Sequence, residues 1–154
     1  LLLPAFMNLR KSRKEFVNNS LTNQNFIYET ENIKSQFRNL VITFTRIAIS
    51  NNIKPILVTQ ANRISLTSDY PKECLEKEIN KAYPGLSLKE YIELYEEFNN
   101  IIRDVANTQS VMLIDLDKNI PKTKFYMYDS VHLTADGSRL AAELIAERIA
   151  NIYK

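Results

Sequence analysis

His132 is the only histidine in the chain, and Asp129 stands three residues before it. Near neutral pH an imidazole is the side chain best suited to pass a proton in both directions. In an irregular loop, a carboxylate three positions earlier can return to the histidine's Nδ1–H. That contact would fix the tautomer, leave Nε2 as a base and stabilise the imidazolium. The same spacing also suits a histidine that caps a helix or bonds its own loop, with Asp129 as a turn former, because Asp-x-x-His is short and common. Other groups of interest lie at strand ends or in loops. Asp115 reads as an acceptor for loop N–H groups, and Gln60 and Asn62 hold positions from which a substrate cleft is often lined. Ser65, Ser68 and Ser130 read as ordinary loop hydroxyls, since nothing beside them makes a strained nucleophile turn.

Several elements must position that pair. From about Glu29 to Asn51, Ile33, Phe37, Leu40, Val41, Phe44, Ile47 and Ala48 recur at helical spacing and predict one apolar face. Asn51-Asn52 ends this helix. The run from Pro55 to Gln60 predicts a short strand buried on both faces. Residues 61–87 read as a long irregular stretch broken by Pro71, Pro84 and Gly85, and a loop of that length is usually functional or mobile. Ser87 is a natural cap for a second helix with the inner stripe Leu88, Tyr91, Ile92, Tyr95, Phe98, Ile102, Val105 and Ala106. After a turn at Thr108–Ser110, Val111–Asp115 predicts a second buried strand. The Asp129–His132 loop follows. A last helix runs from about Thr134 to Tyr153, with Thr134 as cap, Asp136 favourably placed in the first turn, and Leu140, Ala141, Leu144, Ile145, Ile149 and Ile152 facing inward.

Two buried strands joined through a helix form a βαβ unit, which implies parallel pairing and a right-handed crossover. Two parallel strands alone are not a stable layer, since parallel sheets need neighbours and cover on both faces. The elements therefore read as one end of a doubly wound α/β domain. A length of 154 residues fits a single domain with a real core. A formal charge of +2 is too small to argue for nucleic acid or an anionic membrane surface. The lone Cys74 excludes an internal disulfide and a cysteine-rich metal site. There are two glycines, Gly85 and Gly137, so no P-loop, dinucleotide fingerprint or glycine-flanked nucleophile turn lies in the first half. Residues 1–28 read as an arm and loop. Leu1–Leu9 is apolar but far short of the roughly 20 residues that a membrane span needs, and Arg10–Lys14 is a basic run whose ordinary reading is a solvated face. A chain beginning at Leu1 reads as a processed product or a piece of something longer.

The segment from Tyr128 to Ser138, with Leu140-Ala141, resembles the last sequence block of the SGNH (GDSL-type) hydrolases. There an Asp-x-x-His-Leu-x-x-x-Gly segment precedes the terminal helix and supplies two members of a Ser-His-Asp triad. Asn52–Gln60 is similar to that family's penultimate strand. Phe98–Ala106 and Val111–Leu116 look like the helix and last strand that lead into the final block. The resemblance covers roughly Glu29 to Lys154. It implies a three-layer α/β/α fold with a parallel, flavodoxin-like sheet, incomplete at its N-terminus, in which 29–154 is the C-terminal part of one hydrolase domain. It also implies serine attack on an acyl ester, with His132 as general base and then acid and Asp129 orienting it, and no metal or organic cofactor. The substrate would be a small-molecule ester of a lipid or carbohydrate, or a thioester; many relatives are exported. The family's Gly-Asp-Ser nucleophile segment and Gly-x-Asn-Asp segment have no counterpart, and neither Asn8 nor Asn62 matches the latter. The chain as given is therefore expected to be nearly inactive. Two other readings stand beside this one. One is a non-catalytic α/β binding module; the other is membrane-surface or nucleic-acid contact through Leu1–Lys14.

Overall fold

Helix α1 (Asn23–Ser50) leads into strand β1 (Ile56–Val58), followed by α2 (Lys72–Ala82), α3 (Leu88–Thr108), β2 (Met112–Ile114), a single turn α4 (Leu116–Asn119) and α5 (Ala135–Ala150). The computed structural model describes residues 23–65, 69–83 and 86–151, with side chains from Thr30 onward. The stretch Leu1–Lys14, Ser68, Pro84, Gly85 and the expected helix end at Ile152 and Tyr153 lie outside the described residues. The architecture is mixed α/β with a high share of helix. Among the described residues the sheet has two parallel strands, in the register Ile56↔Met112, Leu57↔Leu113 and Val58↔Ile114.

The core is built on α3, which packs against both strands and against α1, while α5 packs on β2. A capping box fixes the start of α3: the Ser87 hydroxyl accepts the Glu90 N–H and the Glu90 carboxylate accepts the Ser87 N–H, which satisfies two of the helix's orphan donors. From there α3 buries Leu94, Tyr95, Phe98, Ile101, Ile102, Val105 and Ala106. Phe98 is wholly enclosed and meets Phe37 of α1 edge to face, with ring centroids 4.8 Å apart. Each such large apolar side chain is worth about 1.5–3 kcal/mol over leaving it in water.

Helices α1 and α3 close in the same way. Ile53 N–H reaches the Ala48 carbonyl and Asn52 N–H that of Ile49; Val111 N–H reaches Ala106 and Ser110 N–H reaches Asn107. These are Schellman-type closures, and their left-handed positions are held by Asn52 (φ 56°) and Ser110 (φ 51°) where glycine is usual.

Four expectations need correction. Helix α1 starts at Asn23, so part of the stretch read as loop is helical; no proline or glycine interrupts it. The stretch 61–87 contains α2, whose Leu75 and Ile79, one turn apart, are both buried. Two anchors suffice once Glu73 lies in the first turn and Lys81 in the last, each favourably placed for the helix dipole. The predicted α1 face divides: Ile33, Phe37, Val41 and Ala48 are buried, whereas Leu40, Phe44 and Ile47 are exposed. They lie round the helix from the α3 contact, with no described element over them. For the same reason β1 is not buried on both faces, and Val58 is 40% exposed.

Candidate active site

The chain enters the site through a short hairpin-like turn. Met127 and Leu133 form an antiparallel bridge, the Tyr128 N–H donates to the His132 carbonyl at 3.1 Å, and the Thr134 N–H donates to Tyr126 at 2.9 Å. Thr134 then caps α5: its hydroxyl donates to the Phe125 carbonyl at 2.6 Å and accepts the Gly137 N–H at 3.1 Å. Gly137 is dictated by contact, since a Cβ there would lie 1.9 Å from the Tyr126 carbonyl oxygen. The helix start is thereby pressed onto the strand-like backbone that carries the histidine.

Asp129 and His132 meet at the tip. The two oxygens of Asp129 make different contacts. Oδ1 accepts the Val131 N–H at 2.9 Å and the His132 N–H at 2.7 Å, holding the turn, and Oδ2 lies 2.7 Å from His132 Nδ1. Burial opposes ionisation of Asp129, but the Val131 N–H, the imidazole and the His132 N–H outweigh it and hold the carboxyl below its ordinary range. With Nδ1 engaged, the outer nitrogen Nε2 is the one left for proton transfer. The imidazole is 62% exposed, and among the described residues no hydroxyl meets Nε2. One wall is supplied by Tyr128, whose ring stacks on the imidazole at 5.5 Å and 16°.

Among the described residues no serine hydroxyl is bonded to the imidazole. The Ser130 hydroxyl donates to Glu78 Oε2 at 2.9 Å, not to the imidazole. The Ser65 N–H donates to the Arg63 carbonyl, and Ser68 is outside the described residues. Asp115 follows β2 and belongs to a structural network. It accepts Arg103 Nε and Nη2 at 2.8 and 2.9 Å, the Thr59 hydroxyl at 2.8 Å and the Lys118 N–H at 3.3 Å. Burial acts against its charge, yet Arg103 and Thr59 keep its carboxyl low. Asp117 joins the network through Arg103, Lys122 and Asn62. Asn62 is consequently buried, with its Oδ1 accepting the Ile64 N–H, and it does not line a cleft. The Gln60 backbone is bonded at both its N–H and its carbonyl by the enclosed Asn99 amide, each at 3.0 Å. Together these contacts lock the C-terminal ends of both strands, the side of the sheet from which the Asp129 loop is reached.

Three neighbours of the pair were not legible beforehand: Arg63, Glu78 and the stacked Tyr128. Arg63 and Glu78 are brought in by contacts spanning 64 and 52 residues, for which no local spacing exists. Tyr128 adjoins the Asp-x-x-His segment, and an aromatic one residue before it was the available signal. Among the described residues no cluster of three His, Cys, Asp or Glu is placed to hold a metal, and no described helix is long and apolar enough to cross a membrane. No family model, curated protein or solved structure matches this chain.

Proposed function

We propose that the chain supplies the acid–base half of a serine-dependent acyl ester hydrolase, with the nucleophile and its oxyanion-stabilising groups contributed from outside these 154 residues. The observation that carries this reading is the Asp129 Oδ2–His132 Nδ1 contact of 2.7 Å beside an exposed outer nitrogen. The resemblance of residues 128–141 to the last SGNH block supports it, as does the position of the pair beyond the C-terminal ends of parallel strands. On this reading β1 and β2 are the end of a three-layer α/β/α sheet whose remaining strands would cover Val58.

In the reaction, His132 Nε2 takes the proton of the serine hydroxyl as it attacks the acyl carbon. Asp129 holds the imidazole in the tautomer with Nδ1 protonated and stabilises the imidazolium that forms. The tetrahedral intermediate collapses with cleavage of the acyl carbon's bond to the leaving group as His132 returns the proton to the departing alcohol oxygen, or to the thiol sulfur of a thioester. Water then repeats the sequence on the acyl-enzyme, with His132 again as base and then acid. The substrate class is a carboxylic ester of a lipid or carbohydrate, or a thioester. No cofactor enters these steps.

The test is ester hydrolysis by the native polypeptide that contains this chain. His132→Ala should lower kcat/KM by on the order of 10⁶ and Asp129→Asn by on the order of 10⁴, with KM little changed. The 154-residue chain alone should show no His132-dependent turnover. Activity that survives His132→Ala would exclude the reading.

A further inference from the structure

The loop that carries the pair buries Ser130 and rests Val131 on the core, and two charged side chains from the segment after β1 converge on it. Arg63 is 3% exposed. Its Nη1 donates to the Met127 carbonyl at 2.6 Å, and its own backbone N–H donates to the Ser130 carbonyl at 2.9 Å. It therefore grips the backbone on both sides of Asp129. The far end of the guanidinium is anchored in turn: Nη2 donates to Asp69 Oδ1 at 2.6 Å, Asp69 Oδ2 accepts the Lys124 N–H at 2.9 Å, and the Tyr70 ring lies 4.9 Å from the guanidinium carbon. The second arm comes from α2, where Glu78 accepts both the Ser130 hydroxyl, at 2.9 Å, and the Tyr70 hydroxyl.

A buried guanidinium is a costly way to stabilise a fold, since an apolar side chain of similar volume often does as well or better. What it offers instead is fixed donor geometry. Here one guanidinium donor is directed at the Met127 carbonyl, two residues before Asp129, while the Ser130 side is held by the Arg63 main chain. The carboxylate must keep Oδ1 on the turn and Oδ2 on the imidazole at once, so a small rotation of residues 127–130 would break one contact or the other.

We propose that Arg63 and Glu78 are positioning residues for the His132–Asp129 pair, acting as a two-armed brace that holds the 127–130 backbone in register; this rests on the reading of that pair as acid–base machinery. The brace also accounts for the placement of α2, which is fastened to the core through Leu75 and Ile79 and presents Glu78 to the loop.

His132 is the only histidine of these 154 residues, and in the native polypeptide that contains them its imidazole is assigned by ¹⁵N–¹H NMR as the signal lost in His132→Ala. Its Nδ1 proton, held on a carboxylate, should give a slowly exchanging downfield signal in the wild type that disappears in Asp129→Asn. Glu78→Ala should broaden or abolish that signal, whereas Glu78→Gln, which still offers an oxygen to Ser130, should restore it. Arg63→Ala should abolish it as well; if that variant does not fold, the Glu78 pair decides. A signal unchanged in folded Glu78→Ala and Arg63→Ala, or in Glu78→Ala when only that variant folds, would overturn the brace while leaving the pair intact. A wild type without an Asp129-dependent signal would overturn both.

Discussion

At the scale of single residues, the site depends on one carboxylate bonded from two sides. Asp129 and His132 were legible in the sequence because the contact is local: three residues of loop suffice to bring Oδ2 to Nδ1. Arg63, at the other end of a contact spanning 64 residues, was not, because only the folded chain brings it there. The charge state of the aspartates has a measurable consequence. Asp69 is held low first by the Lys124 N–H and then by Arg63; Asp115 and Asp129 are low although burial opposes it. Each folded carboxyl therefore titrates below its ordinary value of 3.8. Above that value the stabilisation is fully present. As pH falls through the lower folded values, the unfolded state takes up protons first and stability is lost. Chemical denaturation followed at a series of pH values should show the midpoint falling below about pH 4, with a shallower fall in Asp115→Asn. An acid-range midpoint as high as that at neutral pH would contradict the assignment.

At the scale of elements, helix caps and turns were the most legible features, because Ser87, Thr134 and Asn52 act through their own chemistry. The α2 helix escaped notice because it is anchored by two apolar residues in a polar stretch. The exposed side of α1 escaped because periodicity identifies an apolar face without saying what covers it. That division can be measured by thermal or urea unfolding. Phe37→Ala, on the buried side, should cost about 3–5 kcal/mol, whereas Leu40→Ala, on the open side, should lie within about 0.5 kcal/mol of wild type. Equal losses at the two positions would mean that a further element covers Leu40. Gly137 makes the reverse point. Alanine is the better helix former by about 1 kcal/mol, but the Tyr126 carbonyl leaves no room for its Cβ. Gly137→Ala should therefore destabilise the chain by about 1–3 kcal/mol in the same unfolding assay; a neutral or stabilising effect would refute the close approach.

At the scale of the whole molecule, the parallel pairing and the α3 core follow from the strand–helix–strand order, which was readable. The strands' cover was not, and Val58, Leu40, Phe44 and Ile47 remain open. Val58 is open although its cross-strand partner Ile114 is buried, and two parallel strands alone are not a layer that closes on itself. On the proposed reading the sheet continues with further strands, and the proposed chemistry independently needs a nucleophile that no serine hydroxyl among the described residues, none of which is bonded to His132, provides. Both requirements would be met by one additional body of chain, with its strands against β1 and its serine near Nε2. The most direct measurement is the rate at which a fluorophosphonate labels the native polypeptide containing this chain, read by intact mass. The account predicts a single adduct on a serine outside these 154 residues, formed on the order of 10⁴-fold or more slowly after His132→Ala. No adduct on the wild type, or an adduct formed equally fast without His132, would contradict it.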